Sequence, residues 1–227
     1  MKITYLPGTL CDERLFTSQL KRFGGQVARV SDFDSVTAQA HAVWQAIGPN
    51  PTALVGLSYG GILALEMIRQ HPERVSHLAV LDSNARDDTG DKQRQRNALI
   101  QRVASGHFES IVMDQLKPLY LSVKHRENSE ILNCVRDMAL DQGQGVLSRQ
   151  VAAVRDRPDQ RSHLHRIDVP TLILAGQEDV LCPEDRQMEM HELISGSELA
   201  LLPDCGHLST LESAHAVNEA LETLFKQ

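Results

Sequence analysis

The sequence predicts an α/β fold: a mostly parallel sheet flanked by helices, with a helical insertion between two of its strands. Three observations predict it. Short apolar, β-branched-rich runs alternate with longer helix-like segments along most of the 227 residues, the pattern of a sheet covered by helices. The runs are continuously apolar, as strands buried on both faces require. One polar, helix-prone stretch, residues 84–166, interrupts the alternation and is poor in strand signals.

Taken in order, residues 3–6 form a strand that meets Pro7 and turns, and 13–23 form the first helix. Strand 26–30 and helix 37–47 follow, then strand 53–56, helix 60–71 and strand 78–81. Inside 84–166, apolar residues at helical spacing predict helices over 92–102, 111–121 and 130–140. Asp168-Val169-Pro170 leads back into the sheet, since proline is tolerated at the first position of a strand. Strand 171–175, helix 184–193, strand 198–202 and helix 212–225 complete the chain. The expected organisation is a core made of 1–83 and 167–227, with 84–166 as a helical cap insertion that does not fold independently.

The length suits one domain with a substantial core. With 41% hydrophobic and 23% charged residues the composition is that of a globular protein. A formal net charge of −7 excludes nucleic acid as the main partner, because phosphate binding needs a concentrated basic face. No apolar run approaches the roughly 20 residues of a membrane span. The opening strand is too quickly interrupted for a secretory signal, so a cytoplasmic location is expected. Cys11, Cys134, Cys182 and Cys205 are scattered without C-x-x-C spacing, which points to reduced thiols rather than disulfides or zinc. His191-Glu192 begins like a metalloprotease helix, but Ser195 stands where the second histidine belongs. No metal and no organic cofactor are expected.

The most informative segment is Gly56-Leu57-Ser58-Tyr59-Gly60, with an apolar strand before it and an amphipathic helix after it. A serine on so tight a strand-to-helix turn is held in a strained conformation with its hydroxyl projecting. The flanking glycines keep the neighbouring backbone clear of side-chain collisions. The helix that follows turns its N-terminal amides toward charge developing near Ser58. A serine hydroxyl is a weak nucleophile unless a base takes its proton, and that base needs a third group to hold its tautomer. Among ten histidines, His207 has the best setting, in the loop after the last strand, where parallel sheets present ligands. Asp179 lies in the loop after the preceding strand, and the order Ser58, Asp179, His207 matches the order of this type of site. Glu178 is its adjacent competitor, and Asp82, ending the strand after the serine's helix, is the rival acid. For an oxyanion the expected donors are the backbone N–H of Tyr59 and that of Thr9, with Leu10 as the alternative to Thr9.

These stretches, with Leu6-Pro7-Gly8-Thr9-Leu10-Cys11-Asp12, Gly176-Gln177-Glu178-Asp179 and Gly206-His207-Leu208, span almost the whole chain. The sequence resembles the α/β-hydrolase superfamily, in the serine esterase group similar to pimeloyl-carrier-protein methyl ester carboxylesterases. The resemblance implies an α/β-hydrolase fold. Pro7 stands where that family commonly has histidine, so the support of the oxyanion loop should differ. Ser213 stands where proline is frequent, and by the resemblance residues 3–6 are expected to match an inner strand of the family's sheet. A serine nucleophile argues against dehalogenase and epoxide hydrolase chemistry.

The expected activity is hydrolysis of a small-molecule carboxylic ester or thioester through an acyl-enzyme. The alternatives are a small-molecule receptor with slow turnover, or a C–C bond hydrolase or cofactor-free oxygenase on the same scaffold. Basic residues gather at Lys92, Arg94 and Arg96 and at Arg149, Arg155, Arg157 and Arg161. Two readings stand: local ion pairs of helical segments, or a basic rim for an anionic substrate such as an acyl group on an acidic carrier.

Overall fold

The computed structural model describes residues 1–116 and 119–227. Six parallel strands form one sheet in the order β2-β1-β3-β4-β5-β6. They are β1 (Ile3–Leu6), β2 (Gln26–Val27), β3 (Thr52–Leu57), β4 (Val75–Leu81), β5 (Thr171–Gly176) and β6 (Glu198–Leu202). Helices α1 (Thr17–Phe23), α2 (Val36–Ile47) and α3 (Tyr59–Gln70) belong to the first half of the chain. Between the paired neighbours β4 and β5 come α4 (Gly90–Ala104), α5 (Phe108–Ser110), a π-helical turn Ile111–Leu116, α6 (Ser129–Gln142), α7 (Gln144–Arg155) and α8 (Arg161–Leu164). The chain closes with α9 (Glu184–Leu193), α10 (Ser209–Glu212) and α11 (Ala214–Leu224).

Alternation along the strands divides the core into two layers, because successive side chains leave opposite faces of a sheet. Leu54, Val80 and Ile173 pack with Val43, Trp44, Leu63 and Met67 of α2 and α3. Val55, Ala79, Leu81, Leu172 and Leu174 pack with Leu15, Phe16, Val217 and Leu221 on the other side. A third cluster joins Leu10, from the loop after β1, to Val103, Ile111, Val112, Leu147 and Val151. The inserted helices therefore close over the carboxyl end of the sheet through that loop.

The strand order reverses between β1 and its two neighbours, β2 on one side and β3 on the other. Such a switch point opens a crevice at the carboxyl ends of the strands. Leu6 pairs with Gly56 there, Leu57 with Leu81 and Gly176 with Leu202, so these strand ends lie level. Four loops carrying Thr9, Ser58, Asp179 and His207 leave from this edge.

Some boundaries differ from expectation. The expected strand 26–30 pairs only at Gln26–Val27. Beyond it, the Ala28 N–H still donates to Tyr5 O, but Val30 O accepts from the Gln150 side chain, which draws the chain off the sheet edge. The expected helix 13–23 is a 3₁₀ turn, Glu13–Phe16, continued by α1. Helix 212–225 is interrupted at Ser213, whose backbone (φ −133°) is not helical. Helix α7 lies in the helix-prone stretch but is not one of the helices expected there: Gly143 and Gly145 weaken its start, and packing of Val146, Leu147 and Val151 supplies what propensity lacks. The expected helix 111–121 crosses residues 117–118, outside the described residues; Ile111–Leu116 is a π-helical turn. Among the described residues no helix is long and apolar enough to cross a membrane.

The contact between α3 and β1 yields a prediction. A Cβ on Gly60 would lie 1.8 Å from Leu6 O, a backbone atom that cannot swing away. Gly60→Ala should therefore lower Tm by roughly 10 °C or drive the protein into the insoluble fraction. Gly90→Ala is the control, since there the nearest atom is a flexible Arg94 nitrogen at 3.6 Å. Comparable thermal melts for the two variants would contradict this account.

Candidate active site

Ser58 occupies the turn between β3 and α3 with φ 56° and ψ −115°, a conformation that costs a non-glycine residue free energy. Close packing keeps it there. Its N–H donates to Leu81 O at 2.9 Å, its own carbonyl accepts from Ser83 Oγ at 2.7 Å, and a Cβ at Gly56 would meet Gly60 O at 2.2 Å.

The side chains of Ser58, His207 and Asp179 are brought together. Ser58 Oγ lies 2.8 Å from His207 Nε2, and His207 Nδ1 lies 2.7 Å from Asp179 Oδ2. A carboxylate only accepts, so Nδ1 carries the proton and Nε2 is left to accept from the serine hydroxyl. Asp179 Oδ1 accepts from the N–H groups of Leu181 (2.8 Å) and Cys182 (3.0 Å), which fixes its rotamer. Burial opposes ionisation of Asp179, but the charge and hydrogen bond of His207 and those two amides outweigh it and hold the carboxyl below its ordinary range. Burial likewise depresses His207; the Asp179 charge and hydrogen bond overcome this and raise it above 6.5.

Asp82, the rival acid, is fully buried but turned to other partners. Its carboxylate accepts from Gly176 N at 3.0 Å and from the amide and hydroxyl of Ser209. Burial, reinforced by the Asp179 charge, pushes it up to about 7. Glu178 accepts from Val123 N at 2.8 Å, away from His207.

The two expected oxyanion donors are also free. Among the described residues, neither the Thr9 nor the Tyr59 N–H has an acceptor in the protein. Leu10, the alternative, donates its N–H to Gln150 Oε1 at 2.9 Å. Gln150 also donates to Val30 O at 3.0 Å, so a residue of α7 holds the loop that follows Pro7. Leu10 sits at φ 58° under this grip.

Glu212 is the supporting residue that sequence reasoning missed. Its buried carboxylate accepts from Gly206 N (3.1 Å) and Leu208 N (3.3 Å), on either side of His207, and from Ser122 N (2.8 Å). The His207 N–H itself donates to Tyr120 O at 2.8 Å, and the two rings stand 6.0 Å apart. The only signal in the sequence was a glutamate five residues after the histidine.

Asp179, Cys182 and His207 bring three ligand-type atoms within 4.8 Å of one another. Here Asp179 and His207 are already bonded to each other, and burial pushes the Cys182 thiol up to about 12. A cation would have to break that bond and deprotonate that thiol, so this donor set does not suit a metal.

A cavity of about 420 Å³ opens beside Ser58 and His207 and includes Thr9 and Tyr59 in its wall. Inserted helices supply Leu99, Leu147 and Val151 to it, and Lys92 and Arg96 as well, while Arg157 comes from the link between α7 and α8. The other basic residues are spent elsewhere. Arg94 pairs with Asp91, Arg155 with Asp156, and Arg161 with Asp159 and Glu189, while Arg149 donates to Ser31 O. Local ion pairs thus account for Arg94, Arg155 and Arg161, and a long-range bond to a backbone carbonyl for Arg149.

Residues 16–220 match the model of the alpha/beta hydrolase family. The chain is 29% identical over 198 residues to a pimeloyl-[acyl-carrier protein] methyl ester esterase of Neisseria meningitidis serogroup A, covering 85% of this chain and 62% of that protein's length. It is 24% identical over 198 residues to a 2-hydroxymuconate semialdehyde hydrolase of Pseudomonas putida, covering 83% of this chain and 67% of the other. Among solved structures, a thermophilic esterase from Thermogutta terrifontis superposes with a TM-score of 0.91 at 22% identity, over 100% of this chain and 89% of that one.

Proposed function

The chain belongs to the alpha/beta hydrolase family, and from that premise we propose that it hydrolyses carboxylic esters or thioesters with Ser58 as nucleophile, His207 as base and Asp179 as its orienting acid. The observation that carries this reading is the unbroken relay from Ser58 Oγ through both ring nitrogens of His207 to a buried carboxylate. His207 takes the serine proton as Ser58 attacks the carbonyl carbon. Asp179 stabilises the imidazolium that forms, without itself becoming protonated. The Thr9 and Tyr59 amides receive the oxyanion. Collapse of the tetrahedral adduct expels the alcohol or thiol, which leaves with the proton from His207. Water, deprotonated by the same histidine, then attacks the acyl-enzyme, and collapse of the second adduct frees the acid and Ser58. Residues 84–166 act as the cap that shapes the cavity; the core is 1–83 and 167–227. The substrate is a small molecule, and an acyl group on a carrier reaches the cavity only as an extended arm.

Turnover of p-nitrophenyl esters of graded acyl length, with thioesters and amides alongside, tests the reading. Repeated turnover is expected for at least one ester. The base works only when neutral, and its pKa is raised, so kcat/KM should fall as pH drops through a midpoint above 6.5. Stoichiometric release without further turnover would mark a receptor instead, and a profile flat to pH 5 would remove His207 as the base.

A further inference from the structure

We propose that the cavity accepts esters whose non-reacting end carries a carboxylate, and that Arg96, Arg157 and Lys92 hold it. The proposal rests on the reading of Ser58 and His207 as the reacting pair, because that reading places the scissile ester in the same cavity.

Besides His207, four charged side chains line this cavity: Lys92, Arg96, Arg157 and Asp88. The Asp88 side chain is fully buried and is shared, Arg96 Nε donating to Oδ2 while Arg157 Nη1 lies 2.9 Å from Oδ1. The Arg157 side chain is 3% exposed and is fixed further by Arg86 O and Val154 O, each at 2.7 Å. Thr89 caps α4 by accepting from Lys92 N, which sets Lys92 on the first turn of that helix.

The donors of this cluster outnumber its acceptors. Among the described residues, Nη2 of Arg157, both terminal nitrogens of Arg96 and the Lys92 ammonium donate to no protein group. Three cations therefore face one carboxylate. Burial pushes the Arg157 guanidinium down, and the neighbouring Arg96 charge pushes it the same way. Arg157 is the buried member, while the Arg96 side chain is 30% exposed and Lys92 lies at the open side. A buried guanidinium that shares its one carboxylate with a second arginine is costly until an anion completes it. Arginines needed only to neutralise Asp88 would require one guanidinium, not two with spare donors. A guanidinium fork matches the two oxygens of a planar carboxylate, and each arginine meets Asp88 through a single nitrogen, which leaves its fork open. The apolar wall formed by Leu99, Leu147 and Val151 suits the methylene chain that would join such a carboxylate to the ester.

Monomethyl esters of straight-chain dicarboxylic acids, from succinate to suberate, form the test, each beside the methyl ester of the monocarboxylic acid of equal length. Base uptake in a pH-stat gives kcat/KM for every pair. The best monoester should exceed its neutral partner about tenfold or more. Arg96→Gln and Lys92→Gln should each reduce that ratio, Arg96→Gln by about tenfold, and Arg96→Lys should restore part of it. Calorimetry on Ser58→Ala protein should show binding of the matching dicarboxylate, weakened by a second change Arg96→Gln. Arg157→Gln risks the fold, since it also releases two backbone carbonyls, so the other variants decide. Equal rates within every pair, with ratios unmoved by the variants, would leave the arginines as partners of Asp88 alone while hydrolysis stood. A stronger preference for phosphate-bearing esters would overturn the carboxylate assignment. Dicarboxylate binding to Ser58→Ala with no ester turned over by wild type would retain the subsite and remove the hydrolase reading.

Discussion

Ser58→Ala is expected to fold as the parent does and to lose about five to six orders of magnitude in ester kcat. The change removes one oxygen from a half-buried side chain and adds no volume. Its structural cost is small because the turn is held by other contacts: the Ser58 amide on Leu81, its carbonyl on Ser83, and the glycine packing at Gly56 and Gly60. His207 keeps its bond to Asp179. Chemistry alone is lost, since no other hydroxyl is bonded to Nε2 among the described residues. Wild-type protein should also take up a fluorophosphonate at Ser58, located by peptide mass mapping. Label on any other residue, or turnover in the alanine variant within tenfold of wild type, would refute the nucleophile assignment.

The second large effect separates two buried aspartates. Asp179→Asn should lower kcat by up to about 10⁴. An amide can present N–H to Nδ1, which favours the tautomer whose Nε2 carries the proton and cannot accept from Ser58. It also withdraws the charge that lifts His207, so the residual activity should show its acid limb at lower pH than wild type. Asp82→Asn acts differently, because its partners are Gly176 N and Ser209 rather than the imidazole. It should reduce kcat by no more than about tenfold, with the larger change in Tm, as one bond of a buried network is rearranged. Steady-state kinetics and thermal melts of the two variants, run in parallel, read this directly. Reversed effects would put the acid at the end of β4 instead of β5.

Much of this site was legible because its determinants are local or follow from chain order. An apolar run, Gly56-x-Ser58-x-Gly60 and an amphipathic helix specify a tight turn whatever surrounds them. The level ends of parallel strands then place the loops of Asp179 and His207 beside it, and strand recognition alone suffices for that. That the Leu10 amide is occupied was not legible, since it depends on Gln150 reaching it across 140 residues of sequence. Strand 26–30 was overestimated for a related reason: β-branched composition says nothing about Val30 O being claimed by Gln150. Helix α7 was missed because its glycine-rich start argues against a helix that tertiary packing then supplies. The two basic clusters looked equivalent in sequence, and side-chain partners divided them.

What the sequence determined by itself is the set of quantities that periodicity and order encode: the parallel α/β architecture, the strained serine turn, and the loops from which a base and an acid could come. Chain order already favoured Asp179 as the acid; tertiary structure alone decided that Glu212 grips both amides flanking His207, and that Arg96 and Arg157 share Asp88 in the cavity wall. The physical reason is range. Backbone preference and apolar periodicity act within a few residues and leave their record in the local sequence. Hydrogen bonds between side chains depend on separations of a few tenths of an ångström, and these exist only once distant segments have packed.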